Sequence, residues 1–450
     1  MLRLLLLPLF VLCTSLCQAE TRLHVAADIY TQVSATKQVG DASKAEALLA
    51  ELPALLAEEQ VSEAIRLATD VLVLDPNNAT ARRLLGYQRV SSPAGTEHWC
   101  GGYAALMLER GNVWHQDFGW VKAEDVSRWE AGERPWGKKW ITKEEDAERH
   151  ATIKRGWTVR TDHFHITTNH SRASSIELAI RLETLHQIWR QLFGEFDVSA
   201  RELQARLDGK QPTGYRRKPF RVIYHATRDE YNAALRRRQQ QIEMTLGIYF
   251  DRERELHFFA GEDQDAGTIY HEAVHQFFFE SKKANKQFAR LANAWAVEGV
   301  ACYFESLMRG GRQEARSETS PRATSGAEGL GNATNSFSLG SPDAGRLPAA
   351  QHRRLVDKYY VPLRELSALG MVDLQSRKDL PQLYSQSAGL ATFFLEYEEG
   401  KYRPVFRELL ASIYAGRDEP NTLERVAGVS FETLDREYGE FLATLASEPE

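Results

Sequence analysis

Nine residues constrain this chain more than any others: Tyr270-His271-Glu272-Ala273-Val274-His275-Gln276-Phe277-Phe278. They set two imidazoles and a carboxylate into a run whose other positions are mostly apolar, and polar groups taken into a core must find partners. Read as a helix, the run brings His271 and His275 one turn apart onto the same face, where both can reach a single ion. Glu272 is offset from that row and addresses the space beside it. The pattern His-Glu-x-x-His arises by chance in on the order of one chain in forty of this length and His content, so its surroundings have to support it.

The surroundings do. A second apolar helix is expected over Asn293-Ala294-Trp295-Ala296-Val297-Glu298-Gly299-Val300-Ala301-Cys302-Tyr303-Phe304-Glu305, and an unpaired Glu298 inside it would be costly. Twenty-two residues lie between His275 and Glu298, enough to leave one helix, turn and return antiparallel beside it. Two imidazoles and one carboxylate make three ligands for Zn2+ and leave its fourth position open. Glu305, two turns beyond Glu298, faces the same way; it either orients a ligand histidine or forms an ordinary ion pair.

These motifs resemble the gluzincin class of zinc metallopeptidases, in which His-Glu-x-x-His is followed by a glutamate on a neighbouring helix. Trp295 to Ala301 looks like the aminopeptidase-type branch, and the region from about 155 to 440 is similar to the peptidase-MA-like family of exported bacterial proteins. The resemblance implies that His271, His275 and Glu298 hold zinc and that Glu272 is the general base toward a zinc-bound water. It also implies that Tyr384 donates to the developing oxyanion, although Ser385-Gln386-Ser387 stands where Glu-Lys-Gly commonly follows that tyrosine. Cys302 occupies the place of the thermolysin-like aspartate, and no Gly-x-Met-Glu-Asn motif of aminopeptidases is present; Leu256 to Ala260 forms the strand before the active helix and can pair with an extended substrate. The implied activity is hydrolysis of a peptide or protein substrate. The alternative is a non-catalytic zinc-containing binding or scaffold protein, in which the N-terminal repeat-like helices and a Trp-rich module recognise a partner and the zinc helices are structural. Retention of Glu272 favours the enzyme, because a structural site needs no carboxylate beside the open position.

The expected fold class is α+β: a zincin-like mixed sheet with active-site helices, a C-terminal helical subdomain, an N-terminal repeat-like helical segment and a small Trp-rich β module. With 450 residues, several packed units are expected. Residues 1–19 read as a signal peptide, with Arg3, an apolar run and a Cys17-Gln18-Ala19 end. Residues 20–92 carry helical stripes and the Leu74-Asp75-Pro76-Asn77-Asn78 join of a tetratricopeptide-like segment. Residues 93–150 form the Trp-rich module, whose tryptophans are expected to make core rather than a binding groove. Residues 151–308 form the catalytic subdomain, in which 157 to 166 read as one extended strand and Thr227-x-x-Glu230 as a helix start. Residues 309–346 lack periodicity and read as a flexible insertion or linker, and 347–450 as the helical subdomain.

The apolar start is too short to span a bilayer and no later run is long enough, so the mature chain is expected to be exported, periplasmic or extracellular, with no membrane span. A formal net charge of −6 without a long basic block gives no reason to expect nucleic acid. Cys100 and Cys302 either pair or lie buried and free.

Overall fold

The computed structural model describes residues 20–30, 42–212, 218–281, 285, 288–310 and 336–446. The expected signal peptide lies outside them. The chain is mixed α and β, with several small sheets and a helical C-terminal region. No helix among the described residues is long and apolar enough to cross a membrane.

Strand β1 (Thr21–His24) precedes three helices, α1 (Ala42–Ala57), α2 (Val61–Leu74) and α3 (Ala79–Leu85). Asn78 starts α3 by accepting from the Ala81 N–H at 3.0 Å. The helices share a core of their own, with Leu52, Ile65 and Leu84 buried beside Val198 and Leu203. Next come three hairpins, each soon followed by a short helix: β2 (Gln88–Ser91) and β3 (Glu97–Cys100) with α4 (Gly102–Glu109), β4 (Asn112–His115) and β5 (Gly119–Lys122) with α5 (Val126–Glu130), and β6 (Glu133–Trp136) and β7 (Lys139–Thr142) with α6 (Lys143–Arg149). Trp114 and Trp129 are buried, whereas Trp136 is exposed. Trp114 belongs to the main core of the molecule rather than to a separate one.

The largest sheet runs β11-β12-β10-β9-β8, formed by β8 (Trp157–Arg160), β9 (Phe164–Thr168), β10 (Phe220–His225), β11 (Ile248–Phe250) and β12 (Glu255–Phe259). Its three inner strands are parallel and both edge strands antiparallel. The single strand expected over 157 to 166 is broken into the β8–β9 hairpin. The cause is remote in sequence: Asp162, at the turn, accepts from the Tyr103 and Ala104 N–H groups and so caps α4. Between strands lie α7 (Arg172–Phe193), α8 (Ala200–Leu207) and α9 (Arg228–Leu235), the last started by Thr227 accepting from the Glu230 N–H.

Helices α10 (Ala266–Ser281) and α11 (Ala294–Phe304) follow the sheet. Ala273, Val274, Phe277 and Phe278 bury one face of α10, with Phe277 and Phe278 each 5.4 Å from the Trp189 ring of α7. Beyond α11, β13 (Met308–Arg309) and β1 pair with opposite edges of β14 (Ser336–Leu339). Residues 311–335 of the expected linker lie outside the described residues, but 336–346 is not a linker: Phe337 and Leu339 are buried, and the segment is tied to Ser306, just beyond α11. Four residues are too short a run to announce a strand by periodicity. The C-terminal helices are α12 (Leu347–Leu355), α13 (Leu363–Ser367), α14 (Met371–Gln375), α15 (Leu380–Glu396), α16 (Arg403–Tyr414), α17 (Thr422–Ala427) and α18 (Phe431–Ala446). Helices α11 and α15 touch backbone to backbone: a Cβ on Gly299 would stand 2.5 Å from the Ser387 carbonyl oxygen.

Candidate metal centre

Helix α10 carries His271 and His275 toward α11. Glu298 meets both of them while Glu305 meets only His271, so the two helices run in opposite directions. His271 Nε2 and His275 Nε2 are 3.1 Å apart, and each lies 3.6 Å from Glu298 Oε2. Atoms held about 2.0–2.2 Å from one tetrahedral zinc ion stand about 3.3–3.6 Å from each other, and the three observed edges bracket that range. The imidazole rings are 4.8 Å apart at 77°, edge to face, so their nitrogens converge. Three such ligand atoms facing one another call for a cation or protons between them.

Around this triangle the charges are matched. Burial alone would raise the Glu298 carboxyl, but His271 and His275 hold it well below the usual range. Burial alone would lower His271, and Cys302, Glu298 and Glu305 outweigh it. Glu305 Oε1 lies 2.9 Å from His271 Nδ1, and its other oxygen lies 2.7 Å from Arg346 Nε. The Cys302 thiol is 3.8 Å from the same His271 nitrogen. Of the two groups facing His271 Nδ1, Glu305 is the closer. Cys100 and Cys302 are both buried and unpaired.

Glu272 points away from the ligand row, and its Oε2 accepts from the Tyr249 N–H at 2.9 Å. Burial raises its carboxyl above the usual value, against the pull of His271 and His275. Tyr384 lies near the start of α15, and burial together with the neighbouring Glu298 carboxylate raises its hydroxyl far above the usual value. Glu272, His275 and Tyr384 are only half-buried, so the centre is accessible on their side. All five site residues expected from the sequence are therefore brought together. The Leu256 to Ala260 strand is not an edge strand as expected: β10 pairs with β12 along Glu255–Phe259, β11 covers its other side over Glu255–His257, and the edge of the sheet belongs to β11. Tyr249 and Arg346 carry no sequence signal that would have singled them out.

A second group, His163 beside β9 with Glu183 and His186 of α7, also brings ligand atoms within 4.8 Å of one another, beside a cavity of about 250 Å³. Its rings are 4.2 Å apart and inclined by 37°, closer than the about 5 Å kept by two imidazoles on one tetrahedral ion. His163 Nδ1 is 2.7 Å from Glu183 Oε2, and against the lowering effect of burial this carboxylate raises the imidazole. Within that group, His163 and Glu183 already satisfy one another.

No protein-family model matches the chain, and no curated protein matches it. What bears on function is the geometry of the site.

Proposed function

We propose that the chain is an exported zinc metallopeptidase of gluzincin type, with His271, His275 and Glu298 as zinc ligands, Glu272 as general base and Tyr384 as oxyanion donor. The observation that carries the reading is the ligand triangle, with edges of 3.1, 3.6 and 3.6 Å, accompanied on its accessible side by a carboxylate and a phenol that no structural site requires. Zinc held there would supply Lewis acidity to a substrate carbonyl and acidify a water. Glu272 takes a proton from the attacking water and delivers it to the leaving amine. The Tyr249 N–H steadies the carboxylate for that exchange by holding Oε2. The Tyr384 hydroxyl donates to the oxygen on which negative charge develops. Export rests on the pattern of residues 1–19.

Metal analysis with Glu272→Gln tests the reading. About one zinc per chain is expected, and the substitution should abolish cleavage of unfolded protein or a peptide library while leaving zinc bound. Zinc without cleavage by the wild type would leave a binding or scaffold protein. No zinc would overturn the metal centre itself.

A further inference from the structure

The segment from Gly340 to Arg346 closes over the end of α11 in a way that the ligand set alone does not explain. The Gly340 N–H donates to Ser306 Oγ at 2.9 Å. Gly345 has φ +58°, and a Cβ there would stand 3.2 Å from the Ser306 nitrogen and Cβ, so the backbone fits against the residue that follows Glu305 only without a side chain. Arg346 comes next, and its Nε reaches Glu305 Oε2 at 2.7 Å. The two oxygens of one carboxylate are thus divided between a guanidinium and the His271 ring. The same guanidinium carbon lies 5.6 Å from the centre of the Tyr384 ring, within cation–π range. One cation touches both sides of the site: the helix pair that carries the ligands, and the C-terminal helix that carries the phenol.

An imidazole that binds a metal through Nε2 must carry its proton on Nδ1, and a carboxylate accepting that proton fixes both tautomer and ring orientation while making Nε2 more basic. A carboxylate free to rotate does this poorly. Arg346 removes that freedom, because a charged hydrogen bond on one oxygen holds the other toward His271.

We propose that Arg346 is a positioning residue of the metal centre, holding Glu305 so that His271 presents Nε2 to the ion, and holding the Tyr384 ring beside Glu298. This rests on the zinc-centre part of the proposed function and is independent of peptide cleavage.

The test is zinc affinity of the full chain, measured by competition with a chromophoric chelator, together with the visible spectrum of the cobalt(II)-substituted protein. Arg346→Ala should weaken zinc about 10- to 100-fold and shift the cobalt absorption. Arg346→Lys should recover part of both. Glu305→Gln should weaken zinc to a similar degree, and the double variant should be little worse than the weaker single one, because the two residues act in series. Far-UV circular dichroism identifies a variant that fails to fold; Arg346→Lys and Glu305→Gln then decide. Zinc affinity within twofold of wild type in a folded Arg346→Ala, or additive losses in the double variant, overturns the proposal. A wild-type chain that binds no zinc overturns both this proposal and the metal centre, whereas tight zinc without proteolysis overturns only the enzymatic reading.

Discussion

Gly299→Ala places one methyl group at the contact between α11 and α15. The new Cβ would stand 2.5 Å from the Ser387 oxygen, 3.1 Å from the Ser387 carbonyl carbon and 3.4 Å from the Ala391 Cβ. An unstrained contact needs about 3.5 Å, so one helix must retreat by about 1 Å. Alanine within a helix gains about 0.5–1 kcal/mol over glycine, and that gain would dominate on an exposed face. Here the first obstacle is backbone, which cannot rotate away, and overpacking of a filled core costs about 1–3 kcal/mol. The net expectation is a loss of about 1–2 kcal/mol, read from urea unfolding followed by tryptophan fluorescence. The displacement falls between Glu298, next to Gly299, and Tyr384, one turn before Ser387. Misplacing a reacting group by about 1 Å can cost on the order of 100-fold in rate, so peptide hydrolysis should fall about 10- to 100-fold while zinc content holds. A Gly299→Ala chain as stable as wild type would refute the close approach of the two helices, whatever its activity.

Tyr384→Phe removes the hydroxyl and little else; kcat should drop about 100- to 1000-fold with zinc affinity unchanged, and an unaltered kcat in a peptide assay would remove Tyr384 from the chemistry. The His225 imidazole on β10 is driven down to about 4 by burial and by neighbouring His257. It is neutral in the folded chain and takes a proton near pH 6.5 when unfolded, so the unfolded state binds more protons between pH 4 and 6.5. Stability should therefore be full above pH 6.5 and decline as pH falls toward 4, by up to about 3 kcal/mol from this group. Urea midpoints that decline equally in His225→Gln would assign the loss to other groups.

The histidine pair of α10 was legible because its information is local: a one-turn spacing brings His271 and His275 together whatever the rest of the chain does. Glu298 was nearly as legible, since a carboxylate in an apolar helix needs a reason. The strand at Leu256 to Ala260 could be read from its apolar run ahead of the histidine helix, though which strand would lie at the sheet edge could not. That depends on β10 pairing with the other side of β12. The break at Asp162 was hidden because its cause, the start of α4, lies some sixty residues earlier. Arg346 sits in a stretch without periodicity, where a residue used once, at one contact, leaves no pattern.

The pairing of β1 with β14 joins Thr21 to Leu339 and His24 to Ser336, residues more than 300 positions apart. Thr21 Oγ1 also donates to Glu396 on α15, to which Tyr303 of α11 donates as well. A ribosome adding about 5–20 residues per second brings out the partner strand roughly 15–60 s after the first one. During that interval β1 has no strand to pair with, and neither Arg346 nor Tyr384 exists. The nascent chain can therefore bring His271, His275 and Glu298 together before Arg346 and Tyr384 are made, so this cluster of side chains is completed in two stages separated by the emergence of β14 and α15.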